Sequence, residues 1–213
     1  MQLSKLPRAK LLALAGAKQA AKERGLIVPG LNSNVDLVQF DPDIVTWLET
    51  NFYIPETNSP IKLAPYIKAA LREALSVDQD GNFKYSTVVW SDIKKSGKSS
   101  IAAGVALWFA YRNARSSVKL IANDLKQADN RVNFYMTQAI DLNPAMRRSV
   151  NVIRYKTILP NKSIIEAIPI DPTGEAGGND DFVLLSELWG WAKKEHQLMY
   201  TETTPPPNKF KQA

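Results

Sequence analysis

Tyr85-Ser-Thr-Val-Val-Trp90-Ser-Asp-Ile-Lys-Lys-Ser-Gly97-Lys-Ser-Ser100 is the stretch on which the fold turns. Thr87 to Trp90 is a short β-branched and aromatic run that predicts a buried strand. The polar residues Ser91 to Ser96 form a loop, and Gly97-Lys98-Ser99 opens a long apolar helix. That order suits a loop that holds phosphate. Gly97 lets the backbone approach phosphate oxygens, and the free N–H groups of the first helical turn point at them. Lys98 supplies a point charge for the β- and γ-phosphates, and the Ser99 hydroxyl can ligate Mg²⁺. The complete pattern is GxxxxGK[ST]; here its first position holds Asp92. The competing reading is a solvated basic turn at the start of a helix, which leaves Lys94, Lys95 and Lys98 crowded with no anion between them.

Working outward, Ile101 to Tyr111 is apolar almost all round, as in a helix covered by a parallel sheet. Ser117 to Ala122 predicts a second strand. Asp124-Leu-Lys-Gln127 has capping-box spacing and starts a helix carrying Ala128, Val132, Met136 and Ile140, which Asn143-Pro144 stops. Strand, helix, strand, helix in this rhythm predicts a right-handed βαβ arrangement. Val150 to Leu159 and Ser163 to Ile168 are read as extended segments of a hairpin around Pro160-Asn-Lys162. A Gly-rich acidic loop, Asp171 to Asp181, leads to a third buried strand, Phe182 to Leu185, ending in Ser186-Glu187. Lys193 to Tyr200 is read as helix, closed by Thr203-Thr-Pro-Pro-Pro207.

Towards the amino terminus, Asp78 to Asn82 is a turn. Pro65 opens a helix, Tyr66 to Leu75, with Ile67, Leu71 and Leu75 on one face. Ile54 to Pro60 reads as a linker, and Asp41-Pro-Asp43 starts a short helix through Trp47 and Leu48, with Pro42 in its first turn. Leu3 to Arg24 predicts a basic amphipathic helix, either solvated and packed on its own core or docking on DNA or a partner. Gly25 to Asn34 is a turn-rich connection. The organisation expected is a helical extension and linker over 1–60 and an α/β core over 61–213.

Composition narrows the chemistry. The chain of 213 residues is 45% hydrophobic and has no Cys and one His, His196. Disulfides, thiolate metal sites, zinc catalysis and Ser-His-Asp chemistry are thereby disfavoured. No apolar run is long enough to span a bilayer. The net charge is +6, of which residues 1–28 hold +5, so basicity belongs to the amino terminus and does not describe a nucleic-acid groove across the core.

A nucleotide hydrolase needs a second group opposite its phosphate loop. Its usual form is four apolar residues followed by Asp-Glu at a strand's carboxyl end, the Asp helping to hold metal and the Glu polarising water. Phe182-Val-Leu-Leu-Ser-Glu187 offers Ser186 in the Asp position. Glu187 is then the catalytic carboxylate, and Ser99, Ser186 and Glu187 are the residues on the metal side. The alternative is that Glu187 is the first polar residue after a core strand.

From about Ile61 to its end the sequence resembles the amino-terminal ATPase domain of a tailed-phage large terminase. Pro60-Ile-Lys-Leu-Ala-Pro-Tyr66 is similar to that family's adenine motif, with Ile67 in place of its Gln. Lys94-Lys-Ser-Gly-Lys-Ser99 resembles its Walker A, where Lys94 stands for the usual Arg. Ile121-Ala-Asn-Asp-Leu-Lys-Gln-Ala128 is similar to the segment after its second strand, and Ser186-Glu-Leu-Trp-Gly190 to its Walker B. The resemblance implies a P-loop NTPase with a mostly parallel central sheet flanked by helices, of the additional-strand, catalytic-glutamate class. ATP and Mg²⁺ would sit on Lys95, Ser96, Gly97, Lys98, Ser99 and Ser100, adenine near Tyr66, with Lys98, Lys94 and Glu187 acting in hydrolysis. It further implies double-stranded DNA, a portal or procapsid and a small terminase subunit as partners, a homo-oligomeric ring and work in the host cytoplasm. A trans-acting arginine is expected, and Arg112, Arg115, Arg147, Arg148 and Arg154 all qualify. Because the sequence stops soon after Walker B, a partial terminase without nuclease activity and with an incomplete, open-edged sheet is expected. The rival readings are another P-loop enzyme, a helicase or kinase, and a catalytically silent DNA-binding or assembly module.

Overall fold

The computed structural model describes residues 38–123, 132–171 and 179–203. Its organising element is helix α3 (Lys98–Arg112), reached through the short elements α1 (Ile44–Asn51), β1 (Tyr53–Ile54), β2 (Ser59–Pro60) and α2 (Pro65–Ala74). After it come β3 (Ser117–Ala122), α4 (Phe134–Leu142), α5 (Pro144–Ser149), β4 (Asn151–Ile153), β5 (Lys156–Ile158), β6 (Ile164–Pro169), β7 (Phe182–Leu185) and α6 (Lys194–Thr203). The capping motif at 124–127, the amino-terminal helix over 3–24, the connection over 25–34 and much of the acidic loop lie outside the described residues.

The main sheet has the order β4-β5-β6-β3-β7. β3 pairs in parallel with both β6 and β7, while β5 is antiparallel to β4 and β6. The mixed α/β class with a mostly parallel centre is thus as expected. The hairpin around Pro160 is also present, with Ile158 opposite Ile164. Val150–Leu159, however, is two strands, because the chain turns back at Arg154, whose φ is +52°.

Helix α3 is buried on most of its circumference, from Ile101 through Ala110. Its small residues permit close approach: a Cβ at Gly104 would stand 2.5 Å from Leu48 Cδ2 of α1. Ile44, Val45, Trp47, Leu48 and Phe52 therefore join the same core as α3, β3 and β6. Asp43 caps α1, accepting from the Val45 amide and the Thr46 hydroxyl, so Pro42 lies before the cap and not in the first turn. Arg72 of α2 reaches Asp43 at 2.7 Å, and Lys68 reaches Glu49 at 2.8 Å. Ile54–Pro60 is a small antiparallel hairpin, not a plain linker.

The largest departure is at Thr87–Trp90. Among the described residues it belongs to no strand, and Val88 and Val89 are 47% and 78% exposed; only Trp90 packs against the core. The expected buried strand is corrected accordingly. β-branched residues favour a strand only where a neighbouring strand and a covering layer receive them, and the sheet ends at β7. That strand has both faces covered, Phe182 and Leu184 by the main core, Val183 and Leu185 by a second cluster with Trp191 and Met199. All four residues stay half-buried, since β7 pairs only with β3. Among the described residues no helix is long and apolar enough to cross a membrane.

Candidate functional site

Helix direction fixes which groups can meet. Near the end of α3, Phe109 stacks on Phe182 at the start of β7, with ring centroids 4.7 Å apart. Also at that end, the Ser163 hydroxyl donates to the Asn113 carbonyl at 2.6 Å, and the Asn161 amide to the Ala110 carbonyl at 2.7 Å. Helix α3 therefore runs antiparallel to β6 and β7, and its beginning lies towards the carboxyl ends of the parallel strands. Lys98 at that beginning and Ser186-Glu187 after β7 share one end of the molecule. In open parallel sheets this is the end where ligands bind.

The loop before α3 is tightly wound. Lys95 and Gly97 have positive φ, +67° and +84°; only glycine takes such a conformation without strain. Gly97 occupies the cap position with no side-chain capping bond. The first-turn amides of an α-helix have no partner within it, so those of Lys98 and Ser99 are suited to an anion. Lys98 Nζ donates to the carbonyls of Asp92 at 2.8 Å and Ile93 at 2.6 Å. The lysine thus closes the loop on itself. Asp92 Oδ1 accepts from the Ile93 amide at 2.7 Å, whereas Asp92 Oδ2 and the Ser96 hydroxyl are buried without a hydrogen bond. Lys94 and Lys95 are exposed; Ser99 and Ser100 are half-buried.

Tyr66, 60% exposed at the second position of α2, lines a cavity of about 450 Å³ with Ala70, Ala74 and the run Val88 to Asp92. The loop entrance and the predicted adenine-stacking ring are thus neighbours. On the far side, the Ser186 amide donates to the Ile121 carbonyl at 2.9 Å and its carbonyl accepts from Trp191 Nε1 at 3.1 Å. Glu187 follows with φ +59° and ψ +44°, a strained conformation for a residue with a side chain. Asn123, which sequence reasoning did not single out, ends β3 beside this turn; only its place at a parallel strand's end could have flagged it.

A divalent metal was tested against these donors. Among the described residues no three His, Cys, Asp or Glu side chains gather. Mg²⁺ commonly keeps several waters and relies on substrate phosphates with one or two protein ligands. Ser99, with Ser186 and Glu187 opposite, fits a metal that arrives with a nucleotide, not a dedicated protein cage.

Fold and site together define a mixed α/β protein with a glycine-bearing loop and helix at the carboxyl end of a largely parallel sheet. The crystal structure of the HK97 bacteriophage large terminase matches it with a TM-score of 0.51 and 18% identity, over 70% of this chain and 38% of that one. The fold is terminase-like, and the chain spans well under half the length of that terminase. No family model matches the chain, and no curated protein sequence matches it.

Proposed function

We propose that this chain is the ATPase core of a viral motor that packages double-stranded DNA, hydrolysing ATP·Mg²⁺ to drive translocation into a procapsid. The observation that carries the proposal is the shared location of the Lys98 end of α3 and the Ser186-Glu187 turn. Phosphates would rest on Lys95 to Ser100, with Lys98 and Lys94 offsetting charge on the γ-phosphoryl. Glu187 would polarise the attacking water, and Tyr66 would stack on adenine at the cavity mouth. Bound Mg²⁺ would bridge phosphate oxygens and neutralise developing charge; Ser99, Ser186 and Glu187 are the groups that would hold it. DNA, the procapsid and ring neighbours enter through the terminase-like fold.

A catalytically silent assembly module is the second reading, favoured by Asp92 at the first loop position and by Lys98 being engaged with loop carbonyls. Titration with ATP·Mg²⁺ separates the two. In the motor reading Lys98→Ala weakens nucleotide binding at least 10-fold, about 1.4 kcal/mol, while Glu187→Gln binds normally and loses turnover. Equal affinity in wild type and Lys98→Ala favours the silent module.

A further inference from the structure

Glu187 faces a residue with no assigned task. β3 and β7 are parallel with Ile121 opposite Leu185; continued for two residues, that register sets Asn123 across from Glu187. The Asn123 Oδ1 is buried without a hydrogen-bond partner, a cost of about 1–3 kcal/mol for a group left unsatisfied. A Cβ built at Gly190 would stand 2.8 Å from Asn123 Nδ2, so the three-residue turn Leu188–Gly190 passes directly over the amide. That turn is fixed at both ends, by the Gly190 amide on the Glu187 carbonyl at 2.9 Å and by Trp191 Nε1 on the Ser186 carbonyl.

An incompletely satisfied amide thus lies against a strained turn that carries the carboxylate. Neither burial nor packing explains an Asn at this position, since an apolar residue would leave no buried oxygen without a partner. We infer that Asn123 is a positioning residue for Glu187: its side-chain amide donates to the carboxylate and orients it towards the first turn of α3. Gly190 belongs to the same device, because any side chain there displaces the amide. This inference rests on Glu187 being the carboxylate that polarises water.

The test combines steady-state ATP hydrolysis with the side-chain amide resonance of Asn123 in ¹H–¹⁵N spectra, assigned by its loss in Asn123→Ala. Asn123→Ala and Gly190→Ala should each lower kcat about 10- to 100-fold, as expected when a reacting group is misplaced by about an ångström, with KM changed by less than about 2-fold. Near-isosteric Asn123→Asp should lose as much, because it sets a second carboxylate against Glu187. The Asn123 resonance should move in Glu187→Gln and stay in place in Lys98→Ala. An unmoved resonance in Glu187→Gln overturns the inference, as does an increase in KM with kcat preserved in Asn123→Ala. Lack of turnover in the wild type would count against the ATPase reading alone, and the resonance would still decide whether the amide holds the carboxylate.

Discussion

Asp43 joins two helices through one side chain, capping α1 while accepting both Nε and Nη2 of Arg72. The guanidinium holds its carboxyl down to about 2, from an ordinary 3.8. A depressed folded-state value means the stabilisation is fully present above the unfolded pKa and is lost as pH falls through the folded one. Melting temperature should therefore fall between about pH 4 and pH 2 in the wild type and less steeply in Asp43→Asn. Asp43→Ala should cost about 1 kcal/mol at neutral pH through the lost cap. A thermal melt series across pH checks both. Asp43 and Gly97 were legible at this scale because caps and left-handed positions have local signatures. The closure of the loop by Lys98 was not, since it depends on where two carbonyls happen to point.

Between elements, the approach of α1 to α3 is set by Gly104. In an isolated helix Gly104→Ala would gain about 1 kcal/mol of propensity. Here the new methyl would stand 2.5 Å from fully buried Leu48, and overpacking typically costs about 1–3 kcal/mol. The variant should be destabilised on balance, read as a lower denaturation midpoint with an unchanged slope. The helix beginning at Lys98 and the strands 117–122 and 182–185 could be read from the sequence, because hydrophobic period and flanking turn residues are local. Thr87–Trp90 misled for the same reason. Its residues satisfy a strand pattern, yet a strand exists only where a neighbour completes its hydrogen bonds. The break at Arg154 was missed because a two-residue reversal within a β-rich run leaves little trace in composition.

Across the whole molecule, the open side of β7 and exposed Val88 and Val89 leave apolar surface and unpaired backbone available to another chain. The protein should associate as its concentration rises. A Val88→Lys, Val89→Lys double variant should shift sedimentation towards monomer while altering stability by less than about 0.5 kcal/mol, as surface changes usually do. Class and strand order around the site followed from the sequence, whereas the proximity of Asn123 to the Glu187 turn is a consequence of register between strands some 60 residues apart. The most direct test of a nucleotide shared between Lys98 and Glu187 uses ATP carrying Mn²⁺ in place of Mg²⁺, with paramagnetic broadening of ¹⁵N-labelled backbone amides as the readout. The account predicts that Gly97–Ser100 and Ser186–Glu187 broaden together and that both sets recover in Lys98→Ala. Broadening of one set alone, or broadening unchanged in Lys98→Ala, would contradict it.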